Sequence, residues 1–322
     1  MSTLNSFNSA KKPPLALIAG PTASGKSDLA VRLALALKSY RREAVVINAD
    51  SAQVYGDLQV LSARPSAGEM QGIEHRLFGT WDGATACSAA DWAAAARAVI
   101  GEVHARRAVP ILVGGTGLYI RTLLDGIAPV PAIDLAVREA VRALPIAQAY
   151  AALTKEDPAR AALLAPADRT RISRALEVVR STGRSLAHWQ SELSGGIGPN
   201  VALHPAVLLP PREWVYARCD QRFAQMLDHG ALDEVAALLD RQLDPDLPVM
   251  RAIGVAEVAA LLAGSSSKAE AEARGAQATR NYAKRQLTWL RNQLPSEWQR
   301  VNDNNYDLDT IFVSLLRDNG LT

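Results

Sequence analysis

Only two cysteines, Cys87 and Cys219, occur in 322 residues, too few for a disulfide framework or a zinc quartet. The five histidines, at 75, 104, 188, 204 and 229, have no metal-ligand spacing and read as core or surface residues. No apolar run approaches the length of a membrane span, and the first residues carry no secretory apolar region. These absences exclude a disulfide-stapled or membrane-borne protein and point to a reducing cytoplasm. Net charge is only +2, so the chain is no polycation. With 48% hydrophobic and 21% charged residues it is globular and long enough for one large core or two domains.

The charge present is clustered. Arg169, Arg171, Arg174, Arg180 and Arg184 crowd one segment, and Arg274, Arg280, Lys284, Arg285 and Arg291 another. Such runs read either as solvated helix faces or as a footprint for nucleic-acid phosphates.

An apolar run, Leu15-Ala16-Leu17-Ile18-Ala19, leads into Gly20-Pro21-Thr22-Ala23-Ser24-Gly25-Lys26-Ser27. That octet is the G-x-x-x-x-G-K-[ST] phosphate loop, and an apolar-periodic helix is expected behind it. Its glycines let backbone N–H groups converge on a phosphate, Lys26 adds a point charge, and Ser27 offers a metal-facing hydroxyl.

Residues 15 to 113 alternate between strand and helix patterns. A helix is expected over 28–37, a buried strand over 44–49, a long helix over about 89–107 and another strand over 109–113. This rhythm predicts an α/β fold with a parallel-sheet core and helices on both faces. Ligands then lie beyond the carboxyl ends of the strands. Asp50 and the segment Gly114-Gly115-Thr116-Gly117 follow strand ends, so both are expected to converge on the phosphate loop. Pro129, Pro131 and Pro145 break the rhythm, and the chain turns mainly helical until about Leu193. Residues 13–129 and 205–322 are therefore expected to form the catalytic core, with 130–204 a helical insertion and 1–12 a disordered tail. An apolar strand is expected at 206–209.

A hydrolytic nucleotide site holds its Mg²⁺ with a second acid at a strand end. Here the strand ending at Val113 runs into glycines. Asp50 could fill the metal role. It also opens Asp50-Ser51-Ala52-Gln53-Val54-Tyr55, where Gln53 offers a donor and an acceptor suited to an adenine edge. Asp50 or Ser51 could equally be a helix N-cap. A P-loop nucleotide or metabolite kinase using ATP is the competing reading.

Five segments carry a resemblance that covers residues 15–292. They are the loop 20–27, the segment 50–55, Gly114-Gly-Thr-Gly-Leu-Tyr119, Arg171-Ile-Ser-Arg-Ala-Leu-Glu-Val178 and Ala283-Lys-Arg-Gln-Leu-Thr-Trp-Leu-Arg291. In this order and spacing the chain resembles the tRNA dimethylallyltransferase family. There are departures. Leu61-Ser62-Ala63-Arg64-Pro65 stands for the family's Gly-Thr-Ala-Lys-Pro, His75-Arg76 for its paired histidines, and Ile253-Gly254-Val255-Ala256-Glu257 for its Ile-Gly-Tyr-Lys-Glu.

The resemblance implies transfer of a five-carbon group from dimethylallyl diphosphate to N6 of the adenosine 3′-adjacent to the tRNA anticodon. Diphosphate would be the leaving group. Gly20, Pro21, Thr22, Ala23, Ser24, Gly25, Lys26 and Ser27, with Arg218 and Arg222, would hold the diphosphate, and Ser27 would bind Mg²⁺. Arg218 and Arg222 share a helix face and could instead pair with Asp220 or Asp228. Asp50 would be the general base and Thr116 its orienting partner, although Thr116 could also be a helix N-cap. Contacts to the anticodon stem-loop would come from Asp50, Ser51, Ala52, Gln53 and Thr116. Further contacts would come from Arg138, Thr170, Arg171, Ile172, Ser173 and Arg174, and from Arg251, Arg280, Lys284 and Arg285. Tyr282 and Trp289 read as core residues. A monomer suffices.

Overall fold

The computed structural model describes residues 12–303 and 307–318. The tail expected at 1–12 lies outside them except for Lys12. Strand β1 (Pro14–Ala19) is buried along the apolar run that specified it. The phosphate loop leads into α1 (Lys26–Ser39), whose Leu29, Ala30, Leu33, Ala34 and Leu37 fall on one buried face. Next come β2 (Ala44–Asn48), the single turn α2 (Ala67–Met70) and the short β3 (Glu74–Arg76). Helix α3 (Ala89–Ala105) starts from a capping box in which Ser88 and Asp91 bond each other's backbone N–H. It is followed by β4 (Val109–Gly114) and α4 (Gly117–Asp125).

A second compact unit spans residues 123–197. It holds β5 (Gly126–Ile127), α5 (Leu135–Ala143), α6 (Ile146–Glu156), α7 (Pro158–Ala161), α8 (Arg169–Thr182), α9 (Leu186–Gln190) and β6 (Ser194–Gly195). Its core is Val141, Leu153, Ile172 and Leu176, all fully buried. The insertion is thus shifted about seven residues toward the N-terminus from the 130–204 expected. The physical reason is the antiparallel pair β5–β6, which joins Gly126 to Gly195. Two-residue strands leave no periodicity to read.

The chain returns as β7 (Ala202–Leu208), which starts earlier than expected because Ala202 N–H bonds the Pro13 carbonyl at 2.8 Å. Then follow α10 (Arg212–Asp228), α11 (Ala231–Asp240), α12 (Val255–Leu262) and α13 (Lys268–Gln293). The described chain closes with β8 (Gln299–Val301), α14 (Leu308–Ile311) and α15 (Val313–Asp318). Six strands form one parallel sheet in the order β3-β2-β4-β1-β7-β8. Ile18, Leu33, Ile111, Leu208, Phe312 and Leu315 share its principal core.

One close approach fixes the sheet's ligand edge. A Cβ on Gly114 would lie 2.1 Å from the Ala49 carbonyl oxygen. Backbone cannot yield as a side chain does, so Gly114→Ala should cost roughly 1–3 kcal/mol. Thermal unfolding should show a Tm lowered by several degrees.

Candidate phosphate and nucleotide site

Three segments meet beyond the carboxyl ends of β1, β2 and β4. Gly20 N–H donates to the Gly114 carbonyl at 3.1 Å, Ala49 N–H to Val113 at 2.7 Å, and Thr116 N–H to Ala49 at 3.3 Å. In the phosphate loop, Ala23 and Gly25 take left-handed conformations, with φ of 61° and 85°. Gly25 caps α1 without a side-chain hydrogen bond, so no cap side chain takes the helix's first amides. Such a turn at a helix N-terminus is an anion seat.

Cations surround it. Lys26 Nζ donates to the Pro21 carbonyl at 3.3 Å and stands 4.0 Å from Asp50 Oδ2. From α10, Arg218 Nε donates to the Ala23 carbonyl at 3.0 Å, and Arg222 donates to the Thr22 hydroxyl. Their alternative partners are taken: Asp220 pairs with Arg280, and Asp228 with Lys268. Burial lowers the pKa of Lys26, against the pull of Asp50, and burial likewise lowers that of Arg222. These charges are undercompensated as they stand, so an entering anion would be held strongly.

Asp50 is 5% exposed. No helix starts there. Asp50 Oδ1 accepts the Ala52 N–H at 3.1 Å, and Asn48 Oδ1 accepts the Asp50 N–H at 2.8 Å, which makes a tight turn rather than a helix N-cap. Thr116 Oγ1 accepts the Ser51 N–H at 2.9 Å and donates to Ser51 Oγ at 3.2 Å. Its hydroxyl therefore faces the Asp50 turn instead of capping α4. The Tyr282 hydroxyl joins Thr116 and Ser51, and burial pushes its pKa up, so it remains a phenol.

Several expectations are corrected. Gln53 does not offer a free amide: its Nε2 donates to the carbonyls of Ser62 and Ala63 at 3.0 and 2.8 Å. Tyr282 lines the cavity and is not a core residue. The Thr22 N–H is spent on Gln286 Oε1 at 2.7 Å, and the Ser24 N–H on the Pro21 carbonyl at 3.3 Å. Gln286, at the end of the 277–286 stretch expected on the RNA phosphates, turns inward instead. Its Nε2 donates to the Gly115 carbonyl at 3.1 Å, tying the phosphate loop to the glycine turn from α13. Its burial at 5% exposure was the missing signal, since a buried glutamine must satisfy its amide.

A cavity of about 640 Å³ opens on these groups. Lys26, Arg218, Arg222, Arg251 and Arg285 line it against three carboxylates, Asp28, Asp50 and Glu69. Arg251 pairs with Asp246 at 3.6 Å, and the Arg285 guanidinium sits over the Tyr282 ring. Lys284 is exposed. Arg280, expected on RNA, is held by Asp220 and Gln277. Within the helical unit, Thr170, Arg171 and Arg174 are exposed and Arg138 half-buried. Ile172 and Ser173 turn inward, at 0% and 8% exposure, because they lie on the core face of α8. Their side chains are therefore removed from the RNA-facing set. Among the described residues no group of three or more metal-ligating side chains is found, and no helix is long and apolar enough to cross a membrane.

A P-loop sequence beyond the carboxyl ends of a parallel sheet, with an acid beside it and a hydroxyl holding the acid's turn, is the arrangement of an α/β group-transfer enzyme. Residues 53–293 match the IPP transferase family, and the chain belongs to it. It is 64% identical over 307 residues to the tRNA dimethylallyltransferase of Erythrobacter litoralis, covering 95% of this chain and 97% of that one. With the enzyme of the same name from Novosphingobium aromaticivorans it shares 66% over 277 residues, 86% and 98% of the two chains. Among solved structures, the tRNA isopentenylpyrophosphate transferase of Bacillus halodurans superposes with a TM-score of 0.67 at 32% identity, over 96% of each chain. A eukaryotic dimethylallyltransferase acting on tRNA gives 0.81 at 25% identity, over 96% of this chain and 80% of its own.

Proposed function

We propose that this protein transfers the dimethylallyl group of dimethylallyl diphosphate to N6 of the adenosine 3′-adjacent to the anticodon in tRNA, releasing diphosphate. The observation that carries this reading is one cavity shared by a cationic phosphate seat and Asp50, whose turn Thr116 holds from behind through Ser51. The allylic C–O bond breaks, its electron pair leaves with the diphosphate, and N6 forms the new C–N bond. Asp50 takes the N6 proton. Lys26, Arg218 and Arg222 meet the charge that grows on the leaving oxygens. Thr116 and Tyr282 hold the Asp50 turn through Ser51.

The donor set suits Mg²⁺, a hard cation that accepts one or two protein oxygens and completes its shell with phosphate and water. The Ser27 hydroxyl would hold it with Asp50 nearby, and it would supply Lewis-acid neutralisation of the diphosphate. Exposed Arg171 and Arg174, with Thr170 and Arg138, would grip loop phosphates from the helical unit, and exposed Arg251, Lys284 and Arg285 would do so from the sheet-bearing unit. The target base must leave its stack to reach Asp50. A tRNA substrate supports a cytoplasmic location. No family relationship favours the ATP-dependent kinase reading.

The test is incubation with bulk tRNA and radiolabelled dimethylallyl diphosphate. Label should enter RNA, and vanish with Asp50→Ala. ATP consumption without label transfer would overturn the reading.

A further inference from the structure

Residues 57–64 form a tight turn that places Leu61, Ser62 and Ala63 in the cavity wall. The turn closes on itself through Ala63 N–H to Val60 and Arg64 N–H to Gln59, at 2.9 and 3.0 Å. Three successive amides at its start have no partner within it. All three donate to Glu234, which stands on α11, far away in sequence. Its Oε1 accepts from Gln59 and, at 2.8 Å, from Val60, while Oε2 accepts from Leu61 at 2.9 Å. A second tie follows α11: Arg241 pairs with Asp57 and, at 2.6 Å, with Asp82. Asp57 Oδ2 in turn accepts the Gly83 N–H at 2.8 Å.

The far side of the same turn faces Gln53, whose two amide hydrogens are spent on the Ser62 and Ala63 carbonyls. An amide held this way has only its oxygen left to meet a substrate. It can accept from an exocyclic amino group and cannot donate to a keto oxygen. Gln53 is thus a one-way reader, and its direction is set by the turn.

We infer that Glu234 is a positioning residue for the target base, acting through the 57–64 turn on the orientation of the Gln53 amide. A carboxylate on consecutive amides holds them as an N-cap side chain holds the first turn of a helix. Without it the turn relaxes, the two carbonyls shift, and the Gln53 amide can rotate to present either end. The inference rests on the reading of the cavity as the adenosine site.

The test compares binding of two anticodon stem-loop RNAs at fixed salt, one with adenosine at the target position and one with purine riboside, which lacks the amino group. The wild-type protein should prefer adenosine. Glu234→Ala should reduce that preference about tenfold, the scale of one base-edge hydrogen bond, while KM for dimethylallyl diphosphate stays within about twofold. Glu234→Gln keeps one accepting oxygen and should retain part of the preference. In a Gln53→Leu background, Glu234→Ala should remove little more, because the two residues act in series. If Glu234→Ala fails to fold, Glu234→Gln carries the test, with faster amide exchange expected at residues 59–61. An unchanged adenosine preference with a lowered Tm would make Glu234 merely structural and overturn the inference alone. A wild-type protein that neither prefers adenosine nor transfers label would overturn the functional reading and this inference with it.

Discussion

Asp50→Asn should lower kcat for transfer to tRNA by roughly 10²–10⁴-fold, the range for a positioned general base, while leaving the diphosphate bound at least as tightly as before. The two halves of this expectation come from different contacts. The carboxamide is nearly isosteric, so Oδ1 can still accept the Ala52 N–H and the turn survives. What it loses is the capacity to take the N6 proton. The second oxygen, Oδ2, stands 4.0 Å from Lys26 Nζ and offsets part of its charge. Removing that offset makes the cavity more attractive to an anion. Single-turnover transfer of label measures the first effect, and calorimetric titration with inorganic diphosphate the second. A variant that lost both in proportion would show that Asp50 holds the site together and does not act on the base.

The parallel-sheet core and the position of the candidate phosphate loop were legible in sequence because each rests on local signals. Buried parallel strands read as unbroken apolar runs, as in 15–19 and 109–113, and the phosphate loop is contiguous. Arg218 and Arg222 could be placed on one helix face, but their choice between Asp220, Asp228 and the loop could not be made. That choice depended on Arg280 and Lys268, 60 and 40 residues away in sequence from Asp220 and Asp228, taking the acids first. Gln53 looked like a two-way reader for the same reason: the carbonyls that occupy its amide belong to a separate turn. Gln286 and Glu234 each satisfy backbone groups from segments more than 170 residues distant. Amides and carbonyls carry no sequence identity, so pairing of this kind leaves no motif. Ile172 and Ser173 show the converse, where a motif counted as one unit splits across a helix and half of it faces inward.

Replacing Arg222 or Lys26 should weaken diphosphate binding more than any other change outside the loop backbone. Arg222→Met keeps volume and stem length but removes a charge-assisted donor, worth about 1.5–3 kcal/mol. KM for dimethylallyl diphosphate should therefore rise about 10- to 100-fold, with tRNA affinity unchanged. Lys26→Gln should be as severe, and it should also alter the pH dependence. Burial lowers the Lys26 pKa below its ordinary 10.5 in the free protein. A bound diphosphate favours the charged form and raises that pKa again. Between the two values the complex holds more protons than the free protein, so binding takes up a proton and affinity falls as pH rises. The same lowered pKa means the free fold holds this proton less tightly than the unfolded chain does. Stability from this group therefore rises with pH through the window below 10.5. Calorimetry in two buffers of different ionisation enthalpy should reveal the uptake on the alkaline side for the wild-type protein and its loss in Lys26→Gln. Equal uptake in both would mean that another group supplies the charge, and Lys26 would lose its place at the leaving oxygens.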